Sequence, residues 1–147
     1  MLKQSLTEIF ERDLKKLQAE ILLYNDENDL WTVKNNISNS AGNLCLHLVG
    51  NLNHFVGAVL GNTGFVRDRD SEFTLKNIPR KQLVDNIDKL IETVKNTLSR
   101  LPDADLGKEY PEEKHGEKIT TDFMLLHLLT HFNYHLGQIN YHRRLLT

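Results

Sequence analysis

Cysteine is almost absent from this chain, with Cys45 as the single example among 147 residues. One thiol cannot form a disulfide within the chain, so the fold has to be held by packing alone. This usage agrees with a reducing compartment. The three prolines and eight glycines fall mostly between segments of regular hydrophobic pattern, where they mark breaks between elements.

The chain also lacks an excess of charge of either sign. Its formal net charge is -2 and its sequence pI is about 6.4. A protein without a basic surplus is poorly suited to neutralise a phosphate backbone. We therefore expect no binding to nucleic acid.

Long apolar runs are missing at the start of the sequence. Residues 1–16 alternate apolar and charged side chains, without a run suited to a signal peptide or membrane anchor. We take Phe123–Leu129 as the longest apolar-rich stretch, and it contains His127 and is too short to span a bilayer. We expect a cytoplasmic protein that does not bind membranes.

The composition that remains, 39% hydrophobic and 26% charged, is typical of one soluble globular domain over residues 1–147. No segment alternates with a period of two, so we expect no sheet. Four segments place apolar residues at steps of three and four, the period of an amphipathic helix. These segments are Leu2–Tyr24, Ser40–Leu60, Pro79–Leu101 and Thr120–Leu146.

The links between the predicted helices are unusually long. Gly61–Asn77 and Asp103–Ile119 both exceed the usual helix–helix connection, and long loops of this kind are often functional or mobile. Helices of this length bury their apolar faces most simply against one another. The sequence therefore predicts an all-α fold, an antiparallel four-helix bundle with long inter-helix loops.

Histidine is the most informative residue type in the chain. The four histidines of the last predicted helix fall within about 80° of one another on a helical wheel, at one shoulder of the apolar face. The two on the second helix also lie beside its apolar face, and one more lies in a loop. The seven are His47, His54, His115, His127, His131, His135 and His142.

His131 and His135 are one helical turn apart, so both rings can reach one metal ion from the same side. A third imidazole from the second helix would complete a three-histidine face. His47 and His54 are both candidates, but they lie roughly 10 Å apart along the helix axis and cannot both bind the same ion. Spacing alone does not choose between them, and His127 is an alternative partner for His131.

A histidine at the edge of a helical core is more often a hydrogen-bonded structural residue than a ligand. We expect His142, near the chain end, and His115, in a loop, to be solvated. Cys45 is on the opposite side of the helical wheel from His47, so we interpret it as a core residue and not a nucleophile.

Other metal chemistries lack their residues in this sequence. Phe132 follows His131 where the H-E-x-x-H motif of zinc proteases requires glutamate, so that general base is missing. Neither histidine-bearing helix has a glutamate in its middle, which argues against a di-iron carboxylate bundle.

The charged residues of the long loops are interpreted as solvated surface. For Arg67, Asp68 and Arg69 we expect surface ion pairs, and Tyr134 on the last helix is interpreted as an interhelical packing residue. No general base is evident. The acidic loop residues that we consider and set aside are Asp70, Glu72, Glu112 and Glu113.

A family resemblance adds to this pattern. The stretch Leu125–Gln138, which reads LLHLLTHFNYHLGQ, resembles the last-helix signature of the DinB-like superfamily of metal-binding bundles, and Leu46-His47-Leu48 resembles its second helix. Residues 37–52 and 67–73 look like an uncharacterised bacterial subgroup. The H-x-x-x-H-x-G-Q element is the most specific part, and the resemblance covers nearly the whole chain.

The resemblance implies one divalent ion, zinc or nickel, on three histidines that correspond to His47, His131 and His135. It also implies that Gly137 allows close packing and that Gln138 supports a ligand. Similar proteins include transferases and isomerases that use low-molecular-weight thiols, and a homodimer is expected on the same ground. The function we expect is activation of a thiol or water toward a small electrophilic substrate, and the alternative is a non-catalytic metal-dependent binding or sensing module.

Overall fold

The computed structural model describes residues 1–146, and over these residues the chain is helical, with two isolated β-bridges and no strand. The helix α1 is Leu2–Leu23, and α2 is Ala41–Leu52, extended by the π-helical Asn53–Ala58 and by Val59–Gly61. Then follow α3, Arg69–Thr74; α4, Arg80–Arg100; and α5, Thr121–Leu146. The four long helices match the four predicted segments closely, and the all-α prediction is confirmed.

The capping residues that the sequence offers are used where helices begin and end. The Ser40 hydroxyl accepts a hydrogen bond from the backbone N–H of Asn43 and so caps the start of α2. Asn62 takes a left-handed conformation directly after Gly61 and ends this helix. These local signals explain why the helix boundaries could be predicted.

One continuous core lies between the long helices, formed by the apolar rows that the periodicity predicts. From α1 it takes Leu6, Phe10, Leu14, Leu17 and Ile21, all essentially inaccessible to solvent. Rows from α2, α4 and α5 close the core. Cys45 is part of it, as predicted.

The helices form a ring in which α1 and α2 each pack against both α4 and α5. The α1–α4 pair is antiparallel, because Lys3 contacts the carbonyl of Leu101 whereas Gln18 contacts Val84 and Asp88. The α2–α5 pair is also antiparallel. By contrast, α2 runs parallel to α4, as the approaches of Gly57 to Thr93 and of Gly61 to Thr97 show. The long connection after α2 is what allows it to lie parallel to the next long helix.

The stretch Ala41–Gly61 is long and apolar enough, by length and composition, to cross a membrane. This corrects the expectation that Phe123–Leu129 is the longest apolar-rich stretch. Half of the apolar window is buried inside the protein, and the helix carries the buried polar residues Asn43, His47 and Asn51. Its position is that of the core helix of a bundle.

The long connections are more ordered than predicted. The connection after α2 contains α3, and the connection after α4 begins with a 3-10 helix, Asp103–Gly107. Tyr110 in the second connection is buried, and its hydroxyl donates a hydrogen bond to the carbonyl of Phe55. The second connection is therefore anchored on the C-terminal extension of α2, whereas the first is anchored near the start of α2, where the Asn43 side chain donates to the carbonyls of Glu72 and Leu75.

Candidate metal centre

Three of the seven histidines come together between α2 and α5. His47, His131 and His135 each offer one ring nitrogen, and these nitrogens all lie within 4.8 Å of one another. The Nε2 atoms of His47 and His131 are 3.1 Å apart. The ring centroids of the three imidazoles are separated by 4.7 to 5.2 Å, with the rings close to perpendicular.

The helices account for this convergence. His131 and His135 are adjacent on one face of α5 because they are one turn apart, and α2 passes this face in the opposite direction and presents His47 to it. His54, the rival candidate, lies about two turns further along and pairs with Glu112 in the second long connection. The choice that spacing left open is therefore made by the fold.

The remaining histidines lie outside the cluster. His127 is half-buried, one turn before His131, and His115 is exposed in the loop, as expected. The expectation for His142 was wrong, because it is buried. Its Nδ1 lies 2.6 Å from the hydroxyl of Tyr24, and its Nε2 donates to the carbonyl of Thr32 at 2.9 Å. His142 therefore links α5 to Tyr24 and to Thr32 inside the protein.

His47 is oriented by a carboxylate. Its Nδ1 donates a hydrogen bond of 3.0 Å to Oε1 of Glu72 on α3, and both side chains are almost fully buried. Arg67 donates two hydrogen bonds to the same carboxylate, from Nε to Oε2 at 2.9 Å and from Nη2 to Oε1 at 3.0 Å. A proton fixed on Nδ1 leaves the Nε2 lone pair of His47 free and facing His131.

Gly50 makes room for this carboxylate. A Cβ atom at position 50 would collide with the Oε2 and Cδ atoms of the Glu72 carboxylate. Phe73, the next residue of α3, packs its ring on His47 with centroids 4.9 Å apart. The short helix α3 thus fits against a groove of α2 and holds His47 from behind.

His135 and His131 have different surroundings. The Nδ1 atom of His135 donates to Oε1 of Gln138, at 2.7 Å, as expected for a residue that supports a ligand. His131 has one buried ring nitrogen, Nδ1, without a hydrogen-bond partner among the described residues. Neither tautomer of His131 can satisfy both of its nitrogens from residues 1–146, a pattern found at functional sites.

The surroundings of His131 and His47 favour their neutral imidazoles. Burial, together with repulsion from His135 and His47, lowers the pKa of His131 to about 4. Burial also lowers the pKa of His47, although the Glu72 hydrogen bond works against that shift. Near pH 7 these two side chains therefore carry lone pairs and not protons, which is the form that binds metal ions.

The donor set fits a divalent transition metal. Two imidazole nitrogens on one tetrahedral ion lie about 3.3 Å apart, close to the 3.1 Å between His47 and His131. Three imidazole nitrogen donors suit zinc, nickel, iron and copper more than magnesium or calcium, which prefer oxygen. Three protein ligands also leave a coordination position open, as in catalytic and not in structural zinc sites.

The residues that support this site were not predicted from the sequence. Glu72 and Arg67 were interpreted as surface residues, yet Glu72 is only 6% exposed and contacts a candidate ligand. The sequence did contain one signal, since Asp68 caps α3 through the N–H of Ser71 and marks a helix start in the supposed loop. That cap could have indicated an ordered element there.

The other polar candidates are distant or exposed. Tyr134 is 68% exposed, which does not agree with a packing role between helices, although its ring contacts that of His135. Gly137 is exposed and has open space around it, so the close packing expected there is not found. Glu112 pairs with His54, and Asp70 and Glu113 are exposed, as surface residues were expected to be.

Comparison with known proteins gives one family. The family model described as "Protein of unknown function (DUF1572)" matches residues 2–147. No curated protein matches the chain. The match covers all five helices and so includes every residue of the histidine cluster.

Proposed function

This chain belongs to the DUF1572 family, whose description assigns no function, and we propose from the site itself that it holds one divalent metal ion on His47, His131 and His135. The observation that carries the proposal is the convergence of three ring nitrogens within 4.8 Å from two helices. The resemblance of Leu125–Gln138 to the DinB-like signature supports the same ligands, and zinc or nickel as the ion.

We further propose that the centre activates a small nucleophile. When bound, the ion supplies Lewis acidity at its open position, which lowers the pKa of a thiol or water held there toward neutrality. The residues of the chain do the rest: His131 and His47 stay neutral, and Glu72 fixes the proton of His47 on Nδ1. The DinB-like resemblance favours a low-molecular-weight thiol and a small electrophilic acceptor.

A non-catalytic metal-dependent binding or sensing module is the second candidate, and one observation favours it. Glu72 is the carboxylate that contacts the cluster, and it is already committed to His47 and to Arg67. A base committed to two partners is poorly placed to take a proton from a substrate. We propose in either case a cytoplasmic protein that takes a small molecule, and a homodimer by resemblance.

Metal content tests the first part of this proposal. The protein, purified without a histidine tag and loaded with Zn²⁺, should retain about one ion per chain by elemental analysis. His131→Ala should reduce the content to a small fraction, because two imidazoles hold an ion much more weakly than three. His127→Ala, one turn away on the same helix, is the matched control and should keep the ion. Stoichiometric zinc in His131→Ala would contradict the assignment.

A turnover assay separates the enzyme from the binding module. The zinc-loaded protein is incubated with a panel of low-molecular-weight thiols and electrophilic acceptors, and loss of free thiol is followed with time. Consumption that disappears in His131→Ala supports a catalytic centre. A metallated protein that consumes no thiol and hydrolyses no acceptor supports the binding module.

A further inference from the structure

A cavity of about 570 Å³ opens beside the histidine cluster, between the loop of residues 34–39 and the last three turns of α5. His135 lies at its wall, so the cavity and the candidate metal centre share a side chain. Leu44 of α2, three residues before His47, forms part of its floor. A volume of this size accommodates a drug-sized molecule.

The cavity is elongated along α5. Its lining includes residues from Tyr134 to Leu146, a rise of roughly 18 Å along the helix axis. Most of the exposed lining surface is apolar, and the lining residues include Ile37, Leu44, Tyr141 and Leu145. The partly exposed Ile37, Tyr141 and Leu145 otherwise stand in solvent, which is unusual for large apolar side chains grouped in one place.

Lys34 lines the cavity and follows closely on Thr32, which contacts α5 away from the metal centre. It is two residues after Thr32, whose carbonyl accepts from His142, and His142 is two helical turns beyond His135. About 10 Å along the helix axis therefore separates His135 from His142, the level at which Thr32 meets α5.

The formal charge on the lining of this cavity is positive. Among the described residues that line it, none is an aspartate or glutamate, and Lys34 is the one with a formal charge. Lys34 is exposed and has no hydrogen-bond or ion-pair partner among the described residues. A divalent ion at His135 would add positive charge at the opposite end. This contrasts with the net charge of -2 of the whole chain.

We propose that this cavity binds an elongated, largely apolar organic anion, with its anionic group against Lys34 and its other end beside His135. The proposal deepens the function proposed above, because the position of the reactive end rests on the metal site. The apolar body packs on Leu44, Tyr141 and Leu145, where water is released on binding.

A pair of fluorescent probes that differ in charge tests this assignment. The anion 8-anilinonaphthalene-1-sulfonate and the neutral N-phenyl-1-naphthylamine share one ring system, and both should bind the folded protein with a rise in fluorescence. Lys34→Gln should weaken binding of the sulfonate about three- to fivefold and leave the neutral probe unchanged. Lys81→Gln, an exposed lysine on α4, is the control and should change neither.

A blocking variant tests the location. Leu145 is 78% exposed, so Leu145→Trp should fold normally while its larger side chain fills the cavity, and both probes should bind at least about fivefold more weakly. Leu22→Trp, an exposed leucine on α1, is the matched control. If wild type and Leu145→Trp bind the probes with equal affinity, the location of the binding site in this cavity is overturned. Equal weakening of both probes by Lys34→Gln, or no effect on either, would overturn the proposal that the ligand is an anion held by Lys34.

Histidine NMR signals distinguish this inference from the proposed metal site. Addition of the sulfonate should shift the ring resonances of His135 and His142, which line the cavity, and leave those of His54 in place. Unchanged signals of His135 would overturn the inference. Zinc content measured on the same samples is independent: zinc without probe binding overturns only the cavity assignment, and probe binding without zinc overturns only the metal site.

Discussion

The contact between Glu72 and His47 is the residue-level feature that supports the proposed metal centre. A carboxylate that accepts from the second nitrogen of a ligand histidine fixes its tautomer and makes it a better donor. Arg67 completes the arrangement, because it balances the buried negative charge and holds the carboxylate in place. The three side chains act as one unit behind the cluster.

Replacement of Glu72 by glutamine tests this unit. Glu72→Gln keeps an oxygen that can accept from His47 but loses the negative charge and the ion pair with Arg67. We expect zinc affinity, measured by competition with a chromophoric chelator, to fall about ten- to a hundredfold.

The control for this substitution is Glu112→Gln, which removes a carboxylate from His54, outside the cluster. Its zinc affinity should equal that of the wild type. If Glu72→Gln also binds zinc as tightly as the wild type, the carboxylate does not act on the ligand.

The histidine pair on α5 could be predicted from the sequence, whereas the contact of Glu72 with His47 could not. The difference has one physical reason. Residues one turn apart on a helix are neighbours whatever the rest of the fold does, so His131 and His135 could be paired from their spacing. Glu72 is 25 residues from His47, and their contact depends on how the connection after α2 folds back on that helix. No periodicity records such a contact.

At the scale of elements, α1 and α5 are joined by a polar tie beside their apolar contact. Glu20 of α1 accepts from Nε of Arg143 at 2.7 Å and from the side-chain amide of Asn140 at 2.8 Å. Burial tends to raise the pKa of Glu20, but these hydrogen bonds outweigh it and the pKa is lowered from its usual 4.5. Folding therefore favours the ionised carboxylate.

The contacts of Glu20 with Arg143 and Asn140 predict that the stability of the fold depends on pH. A carboxyl whose pKa is lower in the folded state stabilises the fold above its unfolded pKa, and the contribution is lost as the pH falls through the folded pKa. Glu20→Gln should therefore lower the free energy of unfolding by about 1 kcal/mol at pH 7, and by progressively less as the pH falls below about 4.5.

Urea denaturation at pH 7 and near pH 3 measures this difference, with Glu92→Gln on the exposed face of α4 as the control. The control should change stability little at either pH. A Glu20→Gln deficit that is the same at both pH values would show that the tie is not electrostatic.

The long helices could be predicted because their apolar rows and caps are local signals, as the Ser40 cap of α2 illustrates. The short helix α3 could not be predicted in the same way, since six residues span fewer than two turns and show no complete period. Its stability comes from packing against α2, where Gly50 leaves space for Glu72.

At the scale of the whole molecule, the metal should couple to stability. An ion that binds only the folded chain stabilises it by mass action, by about 2.7 kcal/mol when the free ion is at one hundred times its dissociation constant. For a protein of this size, each kcal/mol raises Tm by about 2–4 °C. We therefore expect zinc to raise Tm by about 5–10 °C and a chelator to reverse the change.

Thermal unfolding followed by circular dichroism measures this shift, and His131→Ala serves as the reference in which zinc should not alter Tm. The apo protein should remain folded, because its core does not involve the cluster. A zinc-dependent shift of equal size in both proteins would place the stabilising ion elsewhere.

The all-α bundle could be predicted from four periodic segments, whereas the relative directions of the helices could not. Periodicity gives each helix an apolar face and says nothing of which neighbour covers it. The direction of α2 relative to α4 is set by the path of the connection between them, and the contacts of Gly57 and Gly61 with threonines of α4 reveal it. The same path brings Glu72 to His47.

The spacing of the candidate ligands along the chain determines when the ion can be acquired. His47 and His131 are separated by 84 residues, and α5 supplies the other two donors. During synthesis, α2 leaves the ribosome long before its partner helix exists, and one imidazole alone retains metal weakly. In the proposed site, loading therefore has to follow synthesis of α5, and the cellular supply at that stage would decide which metal enters.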